Sequence, residues 1–391
     1  MSTANDSLVY ILFLIFTGTA VLSTLALFTR QSLLVAYMLL GAIFGPWGLA
    51  LVKDSALIRE TGQIGIIFLL FLLGLHLQPQ NLLHSLRKMS WITLASSLFF
   101  LLLGFGIAFT FGLTFYESLI VGITMMFSST IIGLKLLPTT ILHHQHTGEL
   151  MISILLLQDV IAIAVLMILR CFADQAVSFR DIGYILSAFP TLLIVAYSFQ
   201  RFIMNKLVAK FDRIHEYLFI LSIAWCMCMT ELSHFMGLSE EIGAFIAGVT
   251  LAANPISLYV AESLKPLRDF FLVIFFFTIG AGFNFDYLPN IALPAVMLAT
   301  LILLLKPVCF SWLLKRSGET PTISWEIGVR LGQISEFSLL VIYLALDAKF
   351  ISPNCAYMVQ AATILTFIGS CYWVTMRYPT PLAATEKLRR D

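Results

Sequence analysis

Gln158 and Asp159 lie in the middle of the apolar run Met151 to Met167, inside a window long enough to cross a bilayer. Insertion scales put an aspartate at the centre of such a helix roughly 3 kcal/mol uphill, so Asp159 must face protein or water and have a partner or a task. A carboxylate is also the simplest group that holds either a proton or a metal ion, never both. Burial and a nearby lysine pull its titration in opposite directions, and exchange requires a balance at which both ions compete. Hard alkali cations take oxygen ligands. Asp159 carries such oxygens, and so do the side chains of Ser128, Ser129 and Thr130 in an earlier apolar window. Gln158 offers a neutral oxygen and an amide donor, so it can ligate or orient without adding a titrating charge. The bland alternative is that Asp159 only holds helices together through a lysine.

The elements that must position these residues are membrane helices. The chain has 391 residues, 59% hydrophobic and only 12% charged, with a mean hydropathy of +0.94, far from the roughly 25% charged content of soluble domains. This excludes a soluble globule, and a net charge of +1 without basic blocks gives no sign of nucleic acid as a partner. Membrane lipid is the expected surroundings. The six cysteines lack metal-ligand spacing and read as small apolar residues. No nucleophile-base pair, metal cluster or phosphate loop stands in the spans, so neither an enzyme nor a cofactor is expected.

Apolar windows predict thirteen spans near 8–28, 33–50, 61–77, 90–112, 116–135, 148–171, 182–204, 217–235, 239–256, 262–282, 290–314, 324–346 and 354–376. The loops sort sixteen Lys and Arg to one face, including Arg87, Lys88, Arg201, Lys206, Lys210, Arg268, Lys315 and Arg316, against five on the other, Lys53, Arg59, Arg170, Arg180 and Lys349. By the positive-inside rule the amino terminus is outside and the carboxyl terminus cytoplasmic, ending in a short basic tail over 377–391. Lys306 and Arg330 fall inside spans.

Leu70–Gln78 in the third span and Phe276–Asn284 in the tenth share a small-residue break about 206 residues apart, and Gly41–Pro46 matches Gly248–Pro255 at nearly the same offset. The matches pair spans 1–6 with 8–13. Six spans return the chain to its starting side, so the single seventh span inverts the second half. Inverted repeats characterise secondary transporters, whose sites lie where discontinuous helices meet. The paired positions for such breaks are Phe127–Thr130 in the fifth span and Gly328–Phe337 in the twelfth, rich in Ser, Thr and Gly.

Leu34–Pro46 followed by Gly62–Leu75 resembles the opening of the monovalent cation:proton antiporter-2 family. Ser128-Ser129-Thr130, Leu157-Gln158-Asp159, Gly243–Gly248, Phe275–Gly280 and Leu331–Phe337 follow in the family's order. The nearest branch resembles the Kef-type potassium:proton antiporters, because Gln-Asp stands where electrogenic sodium:proton members have Asp-Asp. The resemblance implies an all-α, NhaA-like inverted repeat of thirteen helices, with discontinuous fifth and twelfth helices crossing beside Asp159. It implies a homodimer with scaffold helices over about 8–77 and 217–282, core helices over about 90–171 and 290–376, and a linker helix over about 182–204. It makes Lys306 the core lysine. Kef-type proteins end in a soluble nucleotide-binding regulatory domain, whereas this sequence stops at Asp391, so regulation by glutathione or nucleotide is expected only if a separate subunit supplies it.

The expected function is potassium:proton or sodium:proton exchange across the cell (inner) membrane by elevator-type alternating access. With Gln158 neutral, the simplest stoichiometry is one proton for one cation, hence electroneutral. A gated potassium efflux channel and an inverted-repeat anion transporter are the alternatives. Lys306 either pairs with Asp159 or offsets the negative ends of half-helices, and neutral exchange favours the second. Gln333, Ser335, Glu336 and Arg330 are expected to support the crossover, with Arg330 and Glu336 paired across the break and a second cation ligand as the alternative role of Glu336. His143, His144 and His146 read as a solvated loop, with pH sensing as the alternative.

Overall fold

The computed structural model describes residues 8–29, 31–52, 55–76, 79–137, 146–173, 179–211, 213–236, 238, 240–252, 254 and 256–380. Lys387, Arg389 and Arg390 of the basic tail, and His143 and His144, lie outside them. The described elements are helical: α1 (Leu8–Phe28), α2 (Leu33–Phe44), α3 (Ser55–His76), α4 (Pro79–Thr110), α5 (Phe115–Met125), α6 (Thr130–Lys135), α7 (His146–Ala173), α8 (Phe179–Phe199), α9 (Asn205–Phe211), α10 (His215–Phe235), α11 (Glu240–Ala252), α12 (Ser257–Ala281), α13 (Leu288–Arg316), α14 (Pro321–Arg330), α15 (Glu336–Asp347) and α16 (Pro353–Arg377). Among the described residues, eight helical stretches are long and apolar enough to cross a membrane, and shorter apolar helices add to them. This is a multi-pass, all-helical membrane protein.

Several boundaries differ from the sequence reading for local reasons. Of the loop expected between the third and fourth spans, residues 79–89 are helical, because Pro79 opens α4 at the position where its missing N–H costs nothing. The span expected to 50 stops at Phe44, just before Gly45-Pro46. The fifth and twelfth spans are each two helices, α5 with α6 and α14 with α15, separated at Met126–Ser129 and Leu331–Ser335.

The chain forms two compact units. In the first (1–18, 40–83 and 170–282), α3 packs along α11 and α12. A Cβ on Gly74 of α3 would strike the backbone of Phe245 and Gly248 in α11, and one on Gly41 of α2 would strike the carbonyl of Phe277 in α12. Only glycine permits these backbone approaches. The two contacts are reciprocal: exchanging each motif for its repeat partner turns the α2–α12 contact into the α11–α3 contact.

The second unit (19–39, 84–169 and 283–391) holds both interrupted helices and all the candidate residues. Here α13 packs on α14 and α16, and α15 packs on α5 and α16. Gly328 lies against the Pro307 carbonyl, where a Cβ would collide, so the first half of the α14–α15 pair sits directly on the α13 segment carrying Lys306. Glu117 fixes the entry to α5. It completes a capping box with Thr114, and its Oε1 also accepts from the Ser352 N–H at 3.0 Å and the Ser352 hydroxyl at 2.6 Å. One carboxylate thus ties the start of α5 to the cap of α16.

Candidate functional site

Interrupting a helix in a membrane frees backbone groups that no water will satisfy, and each unmade buried bond costs about 1–3 kcal/mol. The arrangement follows from how those groups are satisfied. At the first break, Gln158 receives the Ser128 N–H on Oε1 at 3.0 Å and donates Nε2 to the Met126 carbonyl at 3.1 Å. The Ser129 hydroxyl accepts the Ile132 N–H at 3.1 Å. The Ser129 carbonyl receives Gln333 Nε2 at 3.2 Å.

At the second break, Ser128 donates its hydroxyl to the Leu331 carbonyl at 2.9 Å. Thr366 of α16 accepts the Ile334 N–H at 3.1 Å, and Ser370 donates to Gln333 Oε1 at 2.9 Å. Ser335 caps α15 by accepting the Phe337 N–H at 3.1 Å. Each break therefore supplies partners for the other.

Lys306 joins them. It is fully buried and donates to the Phe127 carbonyl at 2.6 Å, the Gln333 carbonyl at 2.8 Å and the Ser128 hydroxyl at 3.2 Å. Those are the three donors an ammonium has. The carbonyls lie just past the C-terminal ends of α5 and α14, where helix dipoles concentrate negative charge. All three of these bonds go to the two breaks, and none of them goes to Asp159.

The acidic groups sit at the opposite ends. Asp159 is 2% exposed, and both its oxygens face the Thr130 hydroxyl, at 3.0 and 3.2 Å. Glu336, the first residue of α15, accepts the Ile131 N–H on Oε1 at 3.2 Å. Negative side chains thus face half-helix N-termini, and the lysine faces the C-termini.

The expected Arg330–Glu336 pair does not form. Arg330 ion-pairs with Glu326 at 2.8 Å, one helical turn back on its own helix. It also donates to the Leu136 and Pro379 carbonyls, each at 3.0 Å, tying the end of α6 to the segment after α16. Six residues across an interrupted helix no longer share a face, whereas Glu326 at i−4 does.

The expected ligand set divides. Thr130 and Asp159 touch directly, whereas Ser128 and Gln158 spend their polar atoms on the break backbone and on Lys306. His146 bonds Glu319 at 2.9 Å. The sequence reading missed Thr366, Ser370 and Ser338, which donates to the Thr124 carbonyl at 2.6 Å. The buried polar stripe Thr363, Thr366, Ser370 on an apolar helix was the available signal.

A family model described as sodium/hydrogen exchanger, transmembrane, matches residues 11–376. The chain is 26% identical to the iron transporter MagA of Paramagnetospirillum magneticum, over 91% of this chain and 83% of that protein. It is 27% identical to K(+) efflux antiporter 5 of Arabidopsis thaliana, over 86% of this chain and 61% of that protein. It is also 27% identical to the glutathione-regulated potassium-efflux system protein KefC of Escherichia coli, over 98% of this chain and 63% of that protein. The chain thus spans less than two thirds of the length of these two potassium-efflux relatives. Its fold is similar to that of the sodium proton antiporter MjNhaP1 from Methanocaldococcus jannaschii, with a TM-score of 0.73, 18% identity and coverage of 93% of this chain and 95% of that one.

Proposed function

The chain belongs to the sodium/hydrogen exchanger family, and from that membership we propose that it exchanges one monovalent cation, potassium or sodium, for one proton, with Asp159 carrying each in turn. The observation that carries this reading is the environment of Asp159. It is a buried carboxylate whose hydrogen-bond partner among the described residues is a single neutral hydroxyl, that of Thr130, while the neighbouring lysine is committed to backbone carbonyls. A carboxylate in that position cannot remain bare and charged, so it holds a proton or a cation.

Electroneutral exchange follows from Gln158, whose amide bonds the break backbone with both ends and contributes no charge. The thirteen-span inverted repeat with crossing fifth and twelfth helices is supported by the two interruptions and by the reciprocal glycine contacts. In this reading the helices over about 90–171 and 290–376 are the mobile core and those over about 8–77 and 217–282 the scaffold, in a homodimer moving as an elevator in the cell membrane, amino terminus outside. Potassium is favoured over sodium by the likeness to the potassium-efflux proteins, and a separate regulatory subunit is an open position for a partner.

The test is purified protein in liposomes with an imposed pH gradient and a fluorescent proton reporter. Potassium, sodium, lithium and rubidium are added in turn, with ferrous iron included because one relative is named for it. We expect an alkali cation to dissipate the gradient without carrying current, and Asp159→Asn to abolish this while folding normally. Dissipation by no alkali cation would sink the antiporter reading.

A further inference from the structure

Glu336 is 1% exposed. One of its oxygens is used, by the Ile131 N–H, but Oε2 is buried with no hydrogen-bond partner. Neither interior cation serves it, because Arg330 is committed to Glu326 and to two carbonyls, and Lys306 to the two breaks. Glu336 accepts from Ile131 and Asp159 from the adjacent Thr130, so two buried carboxylates face neighbouring residues, where like charges repel. A buried acceptor without a donor is rare and calls for a cause.

A partly dehydrated cation would satisfy three conditions together: the open oxygen of Glu336, the thinly partnered Asp159 and the repulsion between them. A bridging water could donate to both carboxylates but would not offset the repulsion between them. We propose that Glu336 is a direct ligand of the transported cation, its Oε2 completing an oxygen set with the Asp159 carboxylate and the Thr130 hydroxyl. The inference rests on the antiporter reading above and assigns Glu336 a role beyond supporting the break. The α14–α15 interruption then matters to selectivity as well as architecture, because it aims the first side chain of α15 at the ion. The distance between the two carboxylates would help set which cation fits.

The test uses the full chain in liposomes and reads the cation dependence of exchange. Glu336→Gln keeps the shape and the acceptor for Ile131 while removing the charge at Oε2. It should raise the KM for potassium about tenfold or more and leave the maximal rate within about threefold, the signature of lost cation binding. Glu336→Asp keeps the charge but withdraws it by one methylene, and should move the preference order toward the larger ion, rubidium over potassium. Thr250→Ala, which alters a helix-backbone bond in the first unit, should leave both unchanged.

An unchanged potassium KM in Glu336→Gln, with Asp159→Asn still silent, overturns the ligand role while the antiporter reading stands. If Glu336→Gln does not fold, an unchanged KM and ion order in Glu336→Asp overturns it instead. A wild-type protein silent toward every alkali cation removes the reading beneath it and the proposal together.

Discussion

If Lys306 compensates the ends of half-helices, it should be energetically independent of Asp159. Lys306→Met leaves the Phe127 and Gln333 carbonyls buried without donors. At about 1–3 kcal/mol for each unmade buried bond, the substitution should destabilise the protein by about 2–6 kcal/mol. Ser128 keeps its own bond to Leu331, so that part of the crossover survives. Asp159→Asn removes a charge with no ionic partner among the described residues and retains an oxygen for the Thr130 hydroxyl, so it should leave stability unchanged or raise it. Equilibrium unfolding in mixed micelles on the two single variants and the double gives the coupling energy. Independence predicts a coupling below about 0.5 kcal/mol. A buried Lys306–Asp159 pair predicts that either single variant costs about 3–5 kcal/mol and that the double recovers most of it. That second pattern would refute the assignment of Lys306 to the carbonyls.

Three further outcomes follow from the same geometry. Glu117→Ala removes the carboxylate half of the α5 capping box and the brace on Ser352, the N-cap of α16, and should cost about 1–4 kcal/mol in thermal unfolding while leaving the cation KM unchanged. Gln158→Glu places a second carboxylate beside Asp159 but loses the donor to Met126. It should therefore destabilise by about 1–3 kcal/mol and give no voltage-driven exchange in liposomes, because the new carboxylate faces backbone committed to an amide. Arg330→Lys cannot span Glu326, Leu136 and Pro379 together. It should lower the unfolding free energy by about 1–3 kcal/mol, measured in the same micelles, even though charge is conserved.

Much of the architecture is legible because the bilayer leaves few solutions: a run of about 20 apolar residues has to be a spanning helix. The boundaries that moved did so at Pro79 and Gly45-Pro46, where local chemistry overrides hydropathy. The Ser and Gly clusters at 128–130 and 328–335 marked the interruptions, since those residues favour broken helices and the repeat aligns the two clusters. Glu336 was placed in the right segment, yet its partner was misjudged, because spacing along a helix predicts contacts only while the helix continues.

The sequence by itself determined that this chain lives in a membrane, that Asp159 is an expensive charge requiring a reason, and that two paired segments carry the features of interrupted helices. These are properties of single residues and short windows, set by transfer energies and backbone propensities. Only the tertiary structure decided who satisfies whom. Lys306 reaches Phe127 across 179 residues of chain, Ser128 reaches Leu331 across 203, and Glu117 reaches Ser352 across 235. Each interruption frees backbone groups that any nearby polar side chain could serve, and local sequence does not rank the candidates. Packing ranks them, by bringing two distant breaks against one lysine and leaving a single carboxylate oxygen of Glu336 unserved.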